Sequence, residues 1–189
     1  TVKDLDNHSV TIEHEPQRII LQDGRDIFTL ALLERDNPFA KVVAWNNLPK
    51  KQDTETWNVL KRKWPEADKI LDMKFSDQGN VDLETVISRH PDLMIAQLRA
   101  KPSLVQSGVL AKLEALHVPV VFVDYELHPV ENTLPSIAML GKVLGQSDRA
   151  QAYINFYQQR LDTLHPGLIL KFGGHAMAAG LSLEEERFE

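Results

Sequence analysis

The 189-residue chain contains no cysteine, which excludes disulfide bonds, thiolate zinc sites and thiol nucleophiles. It has no apolar run near the roughly 18 residues that a membrane-spanning helix needs. Positive charge is scarce, because 21 Lys and Arg residues are set against 27 Asp and Glu residues and the formal net charge is -6. An acidic chain argues against nucleic acid or an anionic membrane surface as the main partner.

The composition is that of a globular protein, with 43% hydrophobic and 25% charged residues. Four short runs rich in Val, Ile and Leu predict parallel β-strands, and apolar residues at helical spacing fill the intervals between them. This alternation predicts an α/β fold with right-handed crossovers. The four runs are residues 18–21, 41–45, 93–96 and 118–123.

Both flanks of the predicted sheet carry further patterns. Turn-forming residues separate two extended pieces in residues 2–12 and predict a hairpin at the sheet's edge. Two helices are predicted after the last strand: the first ends at Gly145, a residue suited to the left-handed cap position, and the second starts near Ser147. The chain opens on Thr1 without a signal-like apolar stretch, which indicates either a processed N-terminus or a trimmed chain.

Polar and aromatic side chains follow the predicted strands at their carboxyl ends, where open parallel sheets bind ligands. Two of these residues are arginines, whose guanidinium groups could pair with carboxylate or catecholate oxygens of an anionic chelate. Two are aromatic and are expected to present flat apolar faces, and two are asparagines that can donate or accept hydrogen bonds. The six candidate ligand-binding residues are Arg25, Trp45, Asn46, Asn47, Arg99 and Tyr125.

Each candidate also has an ordinary structural interpretation. Arg25 and Arg99 could be solvated loop charges, and Trp45 could close the core. Asp23, after the first strand, is expected to cap the helix that follows. No catalytic residue, cofactor or metal site is predicted, since the histidines are scattered singly and Asp23 with Asp124 would not satisfy a bare metal ion.

Four segments carry a family pattern in a fixed order: residues 5–20, 81–95, 113–123 (LEALHVPVVFV) and 131–151 (ENTLPSIAMLGKVLGQSDRAQ). With them the chain resembles the periplasmic substrate-binding proteins of ABC importers for iron-siderophores, haem and cobalamin. The resemblance implies the helical-backbone (class III) architecture, in which two Rossmann-like α/β lobes are joined by one long helix and hold ligand in the cleft between them.

The same resemblance implies how this chain is divided and what it meets. Residues 1–146 would form the N-terminal lobe, and residues 147–164 would begin the helix between the lobes. The protein would be periplasmic and would dock on an ABC permease in the inner membrane through an exposed Glu84. The other interpretation of Glu84 is a first-turn acid that favours the helix dipole.

Residues 165–189 differ in kind and contain GGHAMAAG at residues 173–180. This segment resembles the C-terminal substrate-binding region of RecJ-type single-strand exonucleases. Paired glycines let the backbone approach a phosphate, and His175 can donate to it. The metal-binding Asp and His cluster of that family is missing from the sequence, so DNA hydrolysis is not expected. The tail is explained by a gene rearrangement or assembly error, which we favour, or by a passive or dimer-forming appendage.

The leading hypothesis is a non-enzymatic solute-binding component of an ABC importer for ferric siderophore or a related metal chelate, truncated to its N-terminal lobe. Such a lobe is expected to bind ligand weakly or not at all, and to form dimers or aggregates through a poorly covered apolar face of residues 150–164. Nucleic acid is not an expected partner. The alternative is a nucleic-acid-binding fragment of a single-strand exonuclease, carried by the tail.

Overall fold

A computed structural model describes residues 1–73 and 83–163, with side chains up to residue 160. The strands are β1 (Val2–Lys3), β2 (Ser9–Val10), β3 (Ile19–Leu21), β4 (Val42–Trp45), β5 (Leu71–Asp72), β6 (Leu93–Gln97) and β7 (Val120–Val123). The α-helices are α1 (Ile27–Leu33), α2 (Leu48–Gln52), α3 (Thr54–Lys63), α4 (Leu83–Ile87), α5 (Lys101–Gln106), α6 (Val109–Ala115), α7 (Pro129–Val143) and α8 (Ser147–Thr163). Within these ranges no helix is both long and apolar enough to cross a membrane.

Five parallel strands form the main sheet in the order β5-β4-β3-β6-β7, which confirms the predicted α/β class. The four predicted strands are present, each within two residues of its expected bounds. The chain runs outward from β3 through β4 to β5, and then returns to pair β6 with the other side of β3. The strand order therefore reverses between β3 and β6, and such a reversal opens a crevice at the carboxyl ends of the strands.

Both faces of the sheet are buried, which is why the strands appear as continuous apolar runs in the sequence. Successive residues of a strand point to opposite faces. Ile19 and Leu21 of β3 pack in one cluster with α1, α7 and α8, whereas Ile20 packs in the other with residues of α5 and α6. The two layers fix the register of β3 and hence the position of the residues that follow it.

The predicted hairpin is confirmed, and it covers the edge of the sheet beside β7. Asn7 takes a positive φ of 61° in its turn. The buried carboxylate of Asp4 accepts a hydrogen bond from the backbone N–H of Phe122 at 3.1 Å, and the N–H of Leu5 donates to the Phe122 carbonyl at 3.0 Å. These contacts occupy backbone groups of an edge strand that would otherwise be open to another chain.

Helices α7 and α8 form a hairpin around Gly145, whose φ of 68° confirms the expected left-handed cap. Ala150 and Ile154 of α8 are buried, and a Cβ at Gly141 of α7 would lie 2.5 Å from the Cβ of Ala150. The expectation that the apolar face of α8 is poorly covered is therefore wrong for its first half, because α7 covers it. Further along, Phe156 is 52% exposed. The boundary between residues 164 and 165 and the tail motif at residues 173–180 lie outside the described residues.

Candidate ligand-binding site

The candidate site lies where the strand order reverses, at the carboxyl ends of β3, β6 and β7. Arg25 stands in a short 3₁₀ turn (Gly24–Asp26) after β3, and Arg99 stands in another (Leu98–Ala100) after β6. Glu126 lies three residues beyond the end of β7. Parallel strands bring these three loops to one edge of the sheet although they are far apart in the sequence.

Asp23 is the fixed centre of the site. Its side chain is 1% exposed, and it caps the 3₁₀ turn by accepting a hydrogen bond from the backbone N–H of Arg25 at 2.9 Å. Its two oxygens also accept hydrogen bonds from the Arg25 guanidinium, with Nε 3.0 Å from Oδ1 and Nη2 2.6 Å from Oδ2. The expected capping role is confirmed, and the same carboxylate also orients the arginine.

A second carboxylate, that of Glu126, bridges the two arginines that were predicted to bind ligand. Its Oε1 accepts from Arg25 Nη2 at 2.7 Å, and its Oε2 accepts from Arg99 Nε. Arg99 Nη2 lies 3.9 Å from Asp23 Oδ2, so two cations and two anions form one network. The hydrogen bond to Asp23 raises the pKa of Arg25, and the charges of Asp23 and Glu126 add to it against the opposing effect of burial.

The arginines keep part of their surface and of their hydrogen-bonding capacity. The side chain of Arg25 is 29% exposed and that of Arg99 is 42% exposed. Their hydrogen bonds to other described residues use Nε and Nη2 of Arg25 and Nε of Arg99. Because a guanidinium carries five N–H donors, the remaining ones can be offered to a bound anion.

A buried carboxyl group lies behind this network. Asp26 is 3% exposed; its Oδ1 accepts from Gln97 Nε2 at 2.7 Å, and its Oδ2 has no hydrogen-bond partner in the described part of the chain. Burial, reinforced by the negative charge of Asp23, holds the pKa of Asp26 well above its ordinary value. The same burial favours the neutral acid over the carboxylate.

Asp124 fixes the loop that carries Glu126. Its carboxylate accepts hydrogen bonds from the backbone N–H groups of Glu126, Leu127 and His128, at 3.1, 2.8 and 3.0 Å. Burial opposes ionisation of Asp124, but the hydrogen bonds from Asn132 and these backbone groups outweigh it and lower its pKa. The backbone of Glu126 is thus held in place.

Comparison with known proteins bears on the same region. The profile of the family described as "Periplasmic binding protein" matches residues 29–167. The chain belongs to the periplasmic binding protein family. Solved structures agree in fold: the TroA-like periplasmic binding protein FepB from Veillonella parvula superposes with a TM-score of 0.79 at 23% identity, covering 90% of this chain and 49% of that one.

Two further proteins are similar to parts of this periplasmic binding protein. The periplasmic catecholate-siderophore binding protein VctP from Vibrio cholerae matches with a TM-score of 0.56 at 20% identity, over 86% of this chain and 51% of that one. The chain thus spans about half the length of these two solved structures. Separately, the single-stranded-DNA-specific exonuclease RecJ of Dickeya dadantii is 81% identical over 31 residues, which are 16% of this chain and 5% of that protein.

The other four candidate residues of this periplasmic binding protein are buried. Trp45 is 0% exposed and meets Phe39 edge-on with ring centroids 5.5 Å apart, so its ring does not present a face at the surface. That expectation is corrected: Trp45 ends a strand but points into the core, where Trp57 also contacts it with centroids 5.7 Å apart. Tyr125 is 4% exposed, and its hydroxyl accepts from Thr29 at 3.0 Å.

The two asparagines serve the local structure. Asn47 caps α2, because its Oδ1 accepts from the backbone N–H of Lys50 at 3.1 Å. Asn46 accepts from Lys51 Nζ at 3.0 Å. Both are nearly buried, at 6% for Asn46 and 5% for Asn47. The structure therefore brings Arg25 and Arg99 together at the surface and leaves the other four candidates largely behind it.

Glu84 lies in the first turn of α4 and is exposed. Its docking role stays a prediction. Asp82, a candidate cap two residues before Glu84 in the sequence, lies outside the described residues. Sequence reasoning missed Glu126 and Asp26. For Glu126 a signal existed, because it directly follows Asp124 and Tyr125 at the end of the fourth predicted strand. Among the described residues, no cluster of three or more His, Asp or Glu side chains could hold a metal ion.

Proposed function

We propose that this chain belongs to the periplasmic solute-binding component of an ABC importer, and that it forms one side of a cleft for an anionic metal chelate of the ferric-siderophore class. The observation that carries the proposal is the pair of half-exposed guanidinium groups, Arg25 and Arg99, at the strand-order reversal. The role is binding, and no catalytic step or cofactor is part of it.

The chemistry of the arginine pair favours a ligand with several anionic oxygens. Guanidinium groups recognise carboxylate and similar oxygens through paired, charge-assisted hydrogen bonds. Asp23 fixes the plane of Arg25, so the ordering cost is met before a ligand arrives. A catecholate or carboxylate chelate of Fe(III) presents such oxygens on its outer surface. The catecholate-siderophore binding protein of similar fold supports this ligand class.

The test measures the affinity of the chain for the ferric tris-complex of 2,3-dihydroxybenzoate by equilibrium dialysis at constant ionic strength. Arg99→Gln removes the more exposed guanidinium and is expected to weaken binding at least about tenfold, the effect of losing one charge-assisted contact. Arg62→Gln, which removes an exposed arginine of α3, is the matched control and should bind as the wild type does. Equal affinities for the two variants would contradict the proposal.

Docking on a permease is proposed through Glu84, since an exposed acid can pair with an arginine of a partner. In a reconstituted importer, Glu84→Arg should lower the chelate-dependent stimulation of ATP hydrolysis. Glu55→Arg makes the same charge change at an exposed first-turn position of α3 and is the control. Stimulation lowered equally by both variants, or by neither, would argue against a docking role for Glu84.

A second candidate function rests on the 31-residue match to RecJ. Under this alternative the tail binds single-stranded nucleic acid, with His175 contacting a phosphate. Binding would then weaken steeply with salt and would be lost in His175→Ala. The net charge of -6 makes this the weaker candidate. Retention of a single-stranded DNA oligonucleotide by the wild-type chain, but not by His175→Ala, would favour it.

Self-association through the helix of residues 147–164 is also proposed, and Phe156 is a large exposed apolar side chain in its described part. This ring is 52% exposed, and the guanidinium carbon of Arg160 lies 5.0 Å from its centroid. Burial of this ring against a second copy would remove apolar surface from water. Sedimentation velocity over a wide concentration range tests it, and a monomer at every concentration would contradict it.

A further inference from the structure

We propose that Glu126 is an internal competitor for the anion site, and that ligand binding requires its side chain to leave the bridge between Arg25 and Arg99. The inference deepens the proposed function and rests on it, because it describes how the same arginine pair is kept occupied. It follows from three features of the site: its charge balance, the unequal burial of its two carboxylates and the restraint on the backbone of Glu126.

The charge balance comes first. Two guanidinium groups meet two carboxylates, so the network is electrically neutral as it stands. A polyanionic chelate gains little electrostatic attraction from a neutral site, because the two carboxylates already offset the charges of the two arginines. With Glu126 turned away, the remaining three groups carry a net positive charge, and an incoming anion would take over hydrogen bonds that Glu126 now accepts.

Of the two carboxylates, Glu126 is the one that can exchange. Asp23 is 1% exposed and also accepts from the backbone N–H of Arg25, so its departure would uncap the turn and leave Arg25 without its fixed partner. The side chain of Glu126 is 19% exposed, and its two oxygens each meet one arginine. Its carboxylate thus occupies the position that an anionic group of a ligand would take.

The backbone of Glu126 does not need to move for this exchange. The carboxylate of Asp124 accepts a hydrogen bond from the backbone N–H of Glu126 at 3.1 Å, and it also accepts from the N–H groups of the next two residues. The longer glutamate side chain can therefore rotate into solvent about its own torsions while the loop keeps its shape. This arrangement favours ligands whose anionic groups accept hydrogen bonds from the two arginines more strongly than the single carboxylate of Glu126 does. A ligand that accepts more weakly would not displace Glu126.

The test uses sulfate, a small dianion that reports on the arginine pair independently of any chelate. Sulfate binding to the full chain is measured by the shift of the Arg99 Nε–H resonance at constant ionic strength. Glu126→Gln should bind sulfate at least about tenfold more tightly than the wild type, because a charged competitor has been replaced by a weaker, neutral acceptor. Glu131→Gln is the matched control, as it removes one negative charge from an exposed side chain at the start of α7.

Sulfate affinities that are equal in Glu126→Gln and Glu131→Gln would overturn the inference. A circular-dichroism spectrum and an unfolding midpoint establish that each variant is folded, and Glu126→Ala, which removes the acceptor altogether, should show the same gain. The chelate titration is a separate arm. If sulfate binding rises in Glu126→Gln while no ferric chelate binds any variant, the proposed ligand class fails and the role of Glu126 stands.

Discussion

Gly24 ties the loop after β3, which carries Arg25, to the loop after β4, and its replacement by alanine should be costly. Its N–H donates to the carbonyl of Asn46 at 2.9 Å, which ties the loop after β3 to the loop after β4. A Cβ at this position would lie 2.2 Å from the same carbonyl oxygen and 3.3 Å from the backbone nitrogen of Leu48. Both are backbone atoms, so no side-chain rotation can relieve the contact.

The size of the effect follows from that geometry. Cβ atoms essentially never approach another heavy atom within 3.0 Å, so the two loops must separate by at least 0.8 Å, the difference between 3.0 and 2.2 Å. Overpacking of this kind costs roughly 1–3 kcal/mol, and the weakened hydrogen bond adds about 1 kcal/mol. Gly24→Ala is therefore expected to lower the free energy of unfolding by about 2–4 kcal/mol.

The assay is equilibrium unfolding in urea, with Gly108→Ala as the control. Gly108 has a φ of 78°, and a methyl group added to it would meet nothing within 4 Å, so its substitution tests backbone strain alone. That strain should cost about 1 kcal/mol. If Gly24→Ala is as stable as Gly108→Ala, the close approach of the two loops is not what the structure indicates, and the geometry of the site must be reconsidered.

Two further predictions concern charge and surface. Burial raises the pKa of Asp26 in the folded state, so the unfolded chain releases this proton first and the contribution of Asp26 to stability falls as pH rises above 3.8. The free energy of unfolding of the wild type, relative to that of Asp26→Asn, should therefore fall between about pH 4 and pH 8, and a constant difference between the two proteins would refute this. Phe156→Ser should lower any concentration-dependent sedimentation of the wild type, and unchanged self-association would exclude this ring as the contact.

Much of the fold could be predicted because burial leaves a strong pattern. The strands β3, β4, β6 and β7 are apolar except for Gln97 at the end of β6, since helices cover both faces of the sheet. Strand β5 escaped prediction because it has only two residues, Leu71–Asp72, too few for any periodicity. The sequence also predicted that Arg25 and Arg99 lie close together, because residues that follow parallel strands meet at the carboxyl ends of those strands.

The rest of the site depends on contacts between distant segments, which composition and spacing do not encode. Arg25 and Glu126 are 101 residues apart in the sequence, and Gln97 meets Asp26 across 71 residues. The error at Trp45 has a related cause. A strand-end aromatic can turn to the surface or to the core, and here the rings of Phe39 and Trp57 receive it.

The most direct test of the central claim is to observe the two arginines while a chelate binds. The gallium(III) tris-complex of 2,3-dihydroxybenzoate is a diamagnetic analogue of the ferric one, and it can be titrated while the arginine Nε–H resonances are recorded. The account predicts saturable shifts at Arg25 and Arg99, at the low affinity expected of a single lobe, with the exposed Arg35 and Arg62 unmoved. Shifts that are absent at Arg25 and Arg99, or equal at all four residues, would contradict it.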